Sequence, residues 1–133
     1  MKITARIYYE DTDCGGVVYY ANYLKYFERG RTELLRSLGI SLSGYHATGI
    51  VFVVTGVEAS YIAPCRYDDL LTIETVAAGL SGATMTFDHT IRKEGTDKVC
   101  VKGRVTVAAV GADGRPVRVP DEVGKALKSI LKA

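Results

Sequence analysis

A chain of 133 residues, 47% apolar and 24% charged, has the size and make-up of one globular domain over 1–133, and no window approaches the roughly 18 uninterrupted apolar residues of a membrane span. A formal charge of +2, with Lys and Arg scattered among Asp and Glu, leaves no strong field for nucleic acid or anionic lipid, so any anionic ligand must be caught locally. Cys14, Cys65 and Cys100 are odd in number and lack metal-type spacing; with no secretory signal at the start, they read as free thiols in a cytoplasmic protein.

Ile3, Ala5, Ile7 and Tyr9 alternate with Lys2, Thr4, Arg6 and Tyr8, a period of two that predicts a half-buried strand. Residues 10–16 form a loop. The period then changes: Tyr23, Phe27, Leu34 and Leu38 fall on one stripe of a long helix over residues 22–38, ended by Gly39. Glu28 with Arg31, Arg29 with Glu33 and Glu33 with Arg36 are spaced for exposed pairs. Gly30, about 1 kcal/mol worse than Ala inside a helix, points to close packing on a sheet.

Residues 50–63 read as a strand, apolar on both faces from Ile50 to Val54, which predicts deep burial of its first half. Pro64 ends it, and Asp68 and Asp69 introduce a strand over residues 70–80. After the Ser81, Gly82 turn, Met85, Phe87, His89 and Ile91 alternate with Thr84, Thr86, Asp88 and Thr90. Gly95 marks the next turn. Val99, Val101, Val105 and Val107 form a last strand, closed by Asp113 and Gly114, and residues 121–131 suit a short helix. An antiparallel sheet wrapped around one central helix is the economical packing, an α+β fold.

The chemistry concentrates in residues 8–36. Asp13 precedes Gly15 and Gly16 and lies just ahead of the helix start. A carboxylate in such a loop serves either as turn chemistry or as an acid, base or nucleophile. The glycines either close a tight turn or let a ligand approach the main chain without a Cβ in the way. Beyond them, the first amides of the helix have no intrahelical acceptor and can stabilise a developing oxyanion. Glu10 reads as a solvated acid, and Cys14 has no base placed for it. Tyr8, Tyr9, Tyr19, Tyr20, Tyr23 and Tyr26 read mainly as packing, with Tyr20 singled out by its place at the helix entrance. His46 and His89 occur in no nucleophile motif; His89 shares an apolar strand face and reads as a buried, hydrogen-bonded histidine, and neither a metal site nor a cofactor is expected.

The segment Asp13, Cys14, Gly15, Gly16, Val17, Val18, Tyr19, Tyr20, followed by Asn22 and Tyr23, resembles the active-site segment of the 4-hydroxybenzoyl-CoA thioesterase family. Its branch of short bacterial acyl-CoA thioesterases encoded near the Tol-Pal envelope genes is the nearest in appearance. Tyr61 to Pro64 with Asp68 to Leu70 resembles that family's next strand-to-strand join. The resemblance implies a hotdog fold, a curved antiparallel sheet around one long central helix, and subunits paired through a continuous sheet into homodimers or homotetramers with interfacial active sites. It implies that Asp13 is catalytic, that Asp11 matches the first acid of a D-x-D loop, and that Gly16 and the Tyr20 backbone N–H bind the substrate. Arg115 and Arg118 would contact CoA phosphates, as basic residues of a similar terminal segment do in relatives. Ser81, Gly82 and Ala83 replace basic residues of some aromatic-CoA-specific relatives, so the implied substrate is acyl-CoA in general. Phe52, Val53 and Val54 stand between acyl-pocket lining and core packing. A hotdog hydratase or dehydratase, using a catalytic His, and a non-catalytic acyl-CoA-binding module are the competing readings.

Overall fold

The computed structural model describes residues 1–131, so the last two residues of the expected 1–133 span lie outside the described residues. In chain order it contains β1 (Lys2–Arg6), α1 (Tyr23–Ser37), β2 (Val51–Tyr61), β3 (Leu70–Ser81), β4 (Thr84–Lys93), β5 (Val99–Val110) and α2 (Asp121–Lys128). Short 3-10 turns occupy Tyr9–Asp11, Tyr20–Asn22 and Leu42–Thr48. All five strands pair antiparallel in the order β1-β3-β4-β5-β2. This is the hotdog arrangement.

Period two becomes one buried face: Leu71, Ile73, Thr75 and Ala77 on β3, Met85, Phe87, His89 and Ile91 on β4, and Val101, Val105 and Val107 on β5. Against it α1 lays Tyr23, Tyr26, Phe27, Gly30, Leu34 and Leu35. Register shifts at Val54/Gly56, Ala77/Gly79 and Ile91/Arg92 bend the long strands, since a bulge increases local twist and lets a sheet curl around a helix.

Two glycines show how close the layers come. A Cβ on Gly30 would stand 2.3 Å from Thr75 Oγ1 and 3.1 Å from Ile73 Cγ2, and one on Gly103 would stand 2.4 Å from the Phe27 ring. Beneath Gly30, Thr75 Oγ1 and His89 Nδ1 are hydrogen-bonded at 2.9 Å, and the imidazole stacks on Phe27 with centroids 4.8 Å apart. Burial first, then the Arg31 charge, pull the His89 pKa down to about 3, against a smaller opposing effect of Asp88, so the ring is neutral at ordinary pH.

The structure departs from expectation in four places. The central helix is 15 residues, about 22 Å, rather than long, although the 3-10 turn Tyr20–Asn22 runs directly into it. The first strand stops at Arg6, because Tyr9–Asp11 already turns the chain. Of the exposed pairs expected along the helix, Glu33 with Arg36 closes at 2.9 Å, while Glu28 instead accepts the Thr32 hydroxyl. The first half of β2 is not deeply buried: Val53 and Val54 are 40% and 46% exposed. Among the described residues β2 lies at the end of the sheet and pairs with β5 alone, so no strand of the same chain covers its other side.

Candidate functional site

Residues 11–19 build a small hairpin on the start of the helix. Asp13 N–H donates to the Val17 carbonyl at 2.9 Å, Gly16 N–H to the Asp13 carbonyl at 3.1 Å, and Thr12 pairs with Val18. Gly16 has φ +80°, a conformation that favours glycine, which is why the turn closes there. Its N–H is used inside the turn, so what Gly16 offers a ligand is the missing side chain. Gly15 N–H donates to Asp13 Oδ1 at 2.8 Å, which orients the carboxylate while leaving Asp13 exposed.

Several bonds close the base of this hairpin and hold it against the body of the protein. Val18 N–H donates to the Cys65 carbonyl at 2.8 Å, and Val17 pairs with Arg66 beyond β2. Tyr19 N–H donates to the Asp11 carbonyl at 3.0 Å, and Asn22 Nδ2 donates to the same oxygen at 2.7 Å. The Asp11 carboxylate accepts Tyr8 N–H at 2.8 Å. Asp11 is thereby the knot where the incoming chain, the hairpin and the helix meet. Near it the Tyr26 hydroxyl is buried beside the Asp11 carboxylate; burial first, then Asp11, raise its pKa.

Immediately after the hairpin, Tyr20 opens the 3-10 turn that becomes α1, placing its amide at the positive end of the helix. Beside it lies a pocket of about 280 Å³ walled by Val18, Tyr20, Tyr23, Tyr61, Ile62, Ala63 and Pro64. The Tyr20 and Tyr61 rings meet edge to face at 6.1 Å, and the Tyr23 ring lies 5.7 Å from Tyr61. One short stretch of chain thus supplies an exposed carboxylate, a helix-start amide and part of the wall of an aromatic recess, parts suited to holding and attacking a carbonyl.

Asp13 and Gly16 sit in one hairpin and Tyr20 opens the turn that follows it, while Arg115 and Arg118 lie away from them within one chain. Asp13's hairpin is tied to Cys65, whose neighbours Ile62 and Ala63 bond to Cys100 at the start of β5. Arg115 sits in the turn whose Pro116 pairs with Val110 at the other end of that strand, about 30 Å along it. Arg118 lines a separate groove with Lys125, Lys128 and Asp121. At that same far end of the sheet, a larger groove of about 460 Å³ runs between α1 and the start of β2. Phe52 and Val54 line it with Leu35, Ile40, Ile50 and Arg31.

Neither histidine stands in the hairpin. His89 is 1% exposed and bonded under Gly30, and His46 lies in the turn beyond the C-terminal end of α1. Sequence reasoning gave Asn22 no role. As an Asn at a helix start it reads as a cap, yet its backbone is helical and its side chain crosses to Asp11 instead.

A sequence profile of the thioesterase-like superfamily matches residues 8–127. The chain is 40% identical over 120 residues to the acyl-CoA thioesterase YbgC of Haemophilus influenzae, covering 89% of this chain and 87% of that protein. It is 44% identical over 86 residues to the acyl-CoA thioester hydrolase YbgC of Escherichia coli strain CFT073, a match that takes in 65% of this chain and 64% of that protein's length. Among solved structures, a probable thioesterase from Bartonella henselae superimposes with a TM-score of 0.83 at 37% identity, covering 90% of this chain and 98% of that one. With a profile spanning nearly its whole length and relatives at this level of identity, the chain belongs to the thioesterase-like superfamily.

Proposed function

We propose that this protein is an acyl-CoA thioester hydrolase, cleaving a thioester to the free acid and CoA, with residues 1–133 as one hotdog domain. Asp13 acts as nucleophile or general base, and the Tyr20 backbone N–H polarises the carbonyl. The observation that carries this reading is the hairpin that holds an exposed carboxylate and leads directly into the helix start opened by Tyr20. The names of the H. influenzae and E. coli relatives agree with it. A thioester suits such sparse equipment, because the departing thiolate needs little help from a general acid.

The reading includes a second copy of the chain. The outer side of β2 exposes Val53, Val57 and Tyr61 along an eleven-residue strand, the kind of edge that another strand covers. A two-fold antiparallel pairing near Gly56 would bring one copy's Tyr61 beside the other's Val51. The Asp13 end of one subunit would then face the groove, Arg115 and Arg118 of its partner, which supplies the missing acyl recess and phosphate contacts. CoA is the carrier in this reading, and the compartment is the cytoplasm, in keeping with three free thiols.

Asp13→Asn tests the assignment cleanly, since the amide oxygen can still accept Gly15 N–H. Thiol release from acyl-CoA should fall at least about 100-fold with folding unchanged. Turnover at the wild-type rate would overturn the role of Asp13.

A further inference from the structure

The helix start holds a side chain whose bond serves another segment. Asn22 has φ −68° and ψ −22°, makes no cap bond to its own helix, and donates from Nδ2 to the Asp11 carbonyl at 2.7 Å, eleven residues back. That oxygen sits at the base of the hairpin: the next residue pairs with Val18, and the one after it is Asp13. Among the described residues the other donor to it is Tyr19 N–H, which belongs to the returning strand of the same hairpin. Asn22 is therefore the polar side chain that ties the strand carrying Asp13 to the helical turn opened by Tyr20.

We propose that Asn22 is a positioning residue that sets the Asp13 carboxylate against the Tyr20 amide. This rests on the thioesterase reading, in which those two groups must bracket one carbonyl carbon. The need is physical. Asp13 is exposed in a loop that continues through Cys14 to two glycines; backbone bonds close the hairpin and tie it to Cys65, and the partly buried Asn22 amide bond is the side-chain restraint that fixes its base to the helical turn. A misplacement on the order of 1 Å costs about 100-fold in rate even when nothing touching the substrate has changed.

The test uses the full-length chain and an acyl-CoA, following kcat, KM and thermal melting for wild type, Asn22→Ala, Asn22→Asp and Asp13→Asn. Asn22→Ala should lower kcat by about 10- to 100-fold while KM stays within about threefold and the protein melts cooperatively. In Asn22→Asp the ionised carboxylate has no donor and opposes the carbonyl, whereas its protonated form can donate again. Activity of that variant relative to wild type should therefore rise as pH falls, with Asp11 and the Tyr26 hydroxyl as the ionisable groups beside it, while the Asn22→Ala ratio stays flat.

A folded Asn22→Ala with kcat near wild type, or one that changes KM alone, overturns the proposal. If Asn22→Ala does not fold, a pH-independent ratio for Asn22→Asp does the same. Wild-type turnover by Asp13→Asn would instead sink the thioesterase assignment of Asp13, an outcome distinct from failure of the Asn22 role.

Discussion

Replacing Gly30 with alanine measures how tightly α1 sits on the sheet. In an unencumbered helix the change would stabilise by about 1 kcal/mol. Here the new methyl would lie 2.3 Å from Thr75 Oγ1, a β-branched side chain already engaged with His89 Nδ1 at 2.9 Å. Either the helix lifts, an overpacking cost of about 1–3 kcal/mol, or Thr75 turns away and a buried hydrogen bond is lost at about 1–3 kcal/mol. Setting either cost against the helix gain leaves a net destabilisation of about 1 kcal/mol, or a Tm lower by about 4 °C for a chain of this size. Urea and thermal unfolding followed by circular dichroism would read it. Thr75→Ala removes the obstructing atom, so the double variant Gly30→Ala/Thr75→Ala should be more stable than the two single losses added together. A Gly30→Ala protein as stable as wild type, or more so, would refute the close-packing argument.

His89 predicts a pH effect of definite sign. Its folded pKa, about 3, lies below the ordinary 6.5, so between those values the unfolded chain binds the extra proton. Stability is full above about pH 6.5 and falls with acidity by up to about 1.4 kcal/mol per pH unit. Urea titrations at pH 7, 5 and 4 should show a shallower loss for His89→Gln than for wild type; equal slopes would count against a buried neutral ring. At the open β2 edge, Val53→Lys with Val57→Lys should convert a dimer or tetramer to a monomer by light scattering, with activity lost alongside. A wild-type monomer would contradict the paired-edge reading. Arg115→Ala with Arg118→Ala should raise KM for the CoA ester severalfold and weaken its salt dependence, and an unchanged KM would remove both residues from the phosphate site.

Much of this architecture is legible in local pattern, because period and turn chemistry act over neighbouring residues. The alternation from Met85 to Ile91 becomes β4, and Gly82, Gly95 and Gly114 all take positive φ where turns were expected. Gly30, a glycine inside a helix, by itself signals a close approach to another layer. The motif containing Asp13, Gly16 and Tyr20 was equally visible, since all three lie in one hairpin and the turn that follows it. Other features carried no such signal. The run from Ile50 to Val54 looks the same whether a strand ends in the middle of a sheet or at its edge. Nothing local anticipated the 3-10 turn Leu42–Thr48.

The sequence by itself determined the main helix and the five strands, the buried faces of β3, β4 and β5, and that a carboxylate, two glycines and a helix start would follow one another along the chain. Those are short-range consequences of side-chain period and backbone freedom. Only the tertiary structure decided that β2 is an edge, that Asn22 reaches Asp11, and that Arg115 lies at the opposite end of β5 from Asp13. Each of these depends on strand order and on bonds between segments distant in the chain, which are chosen by the packing of the whole sheet around its helix.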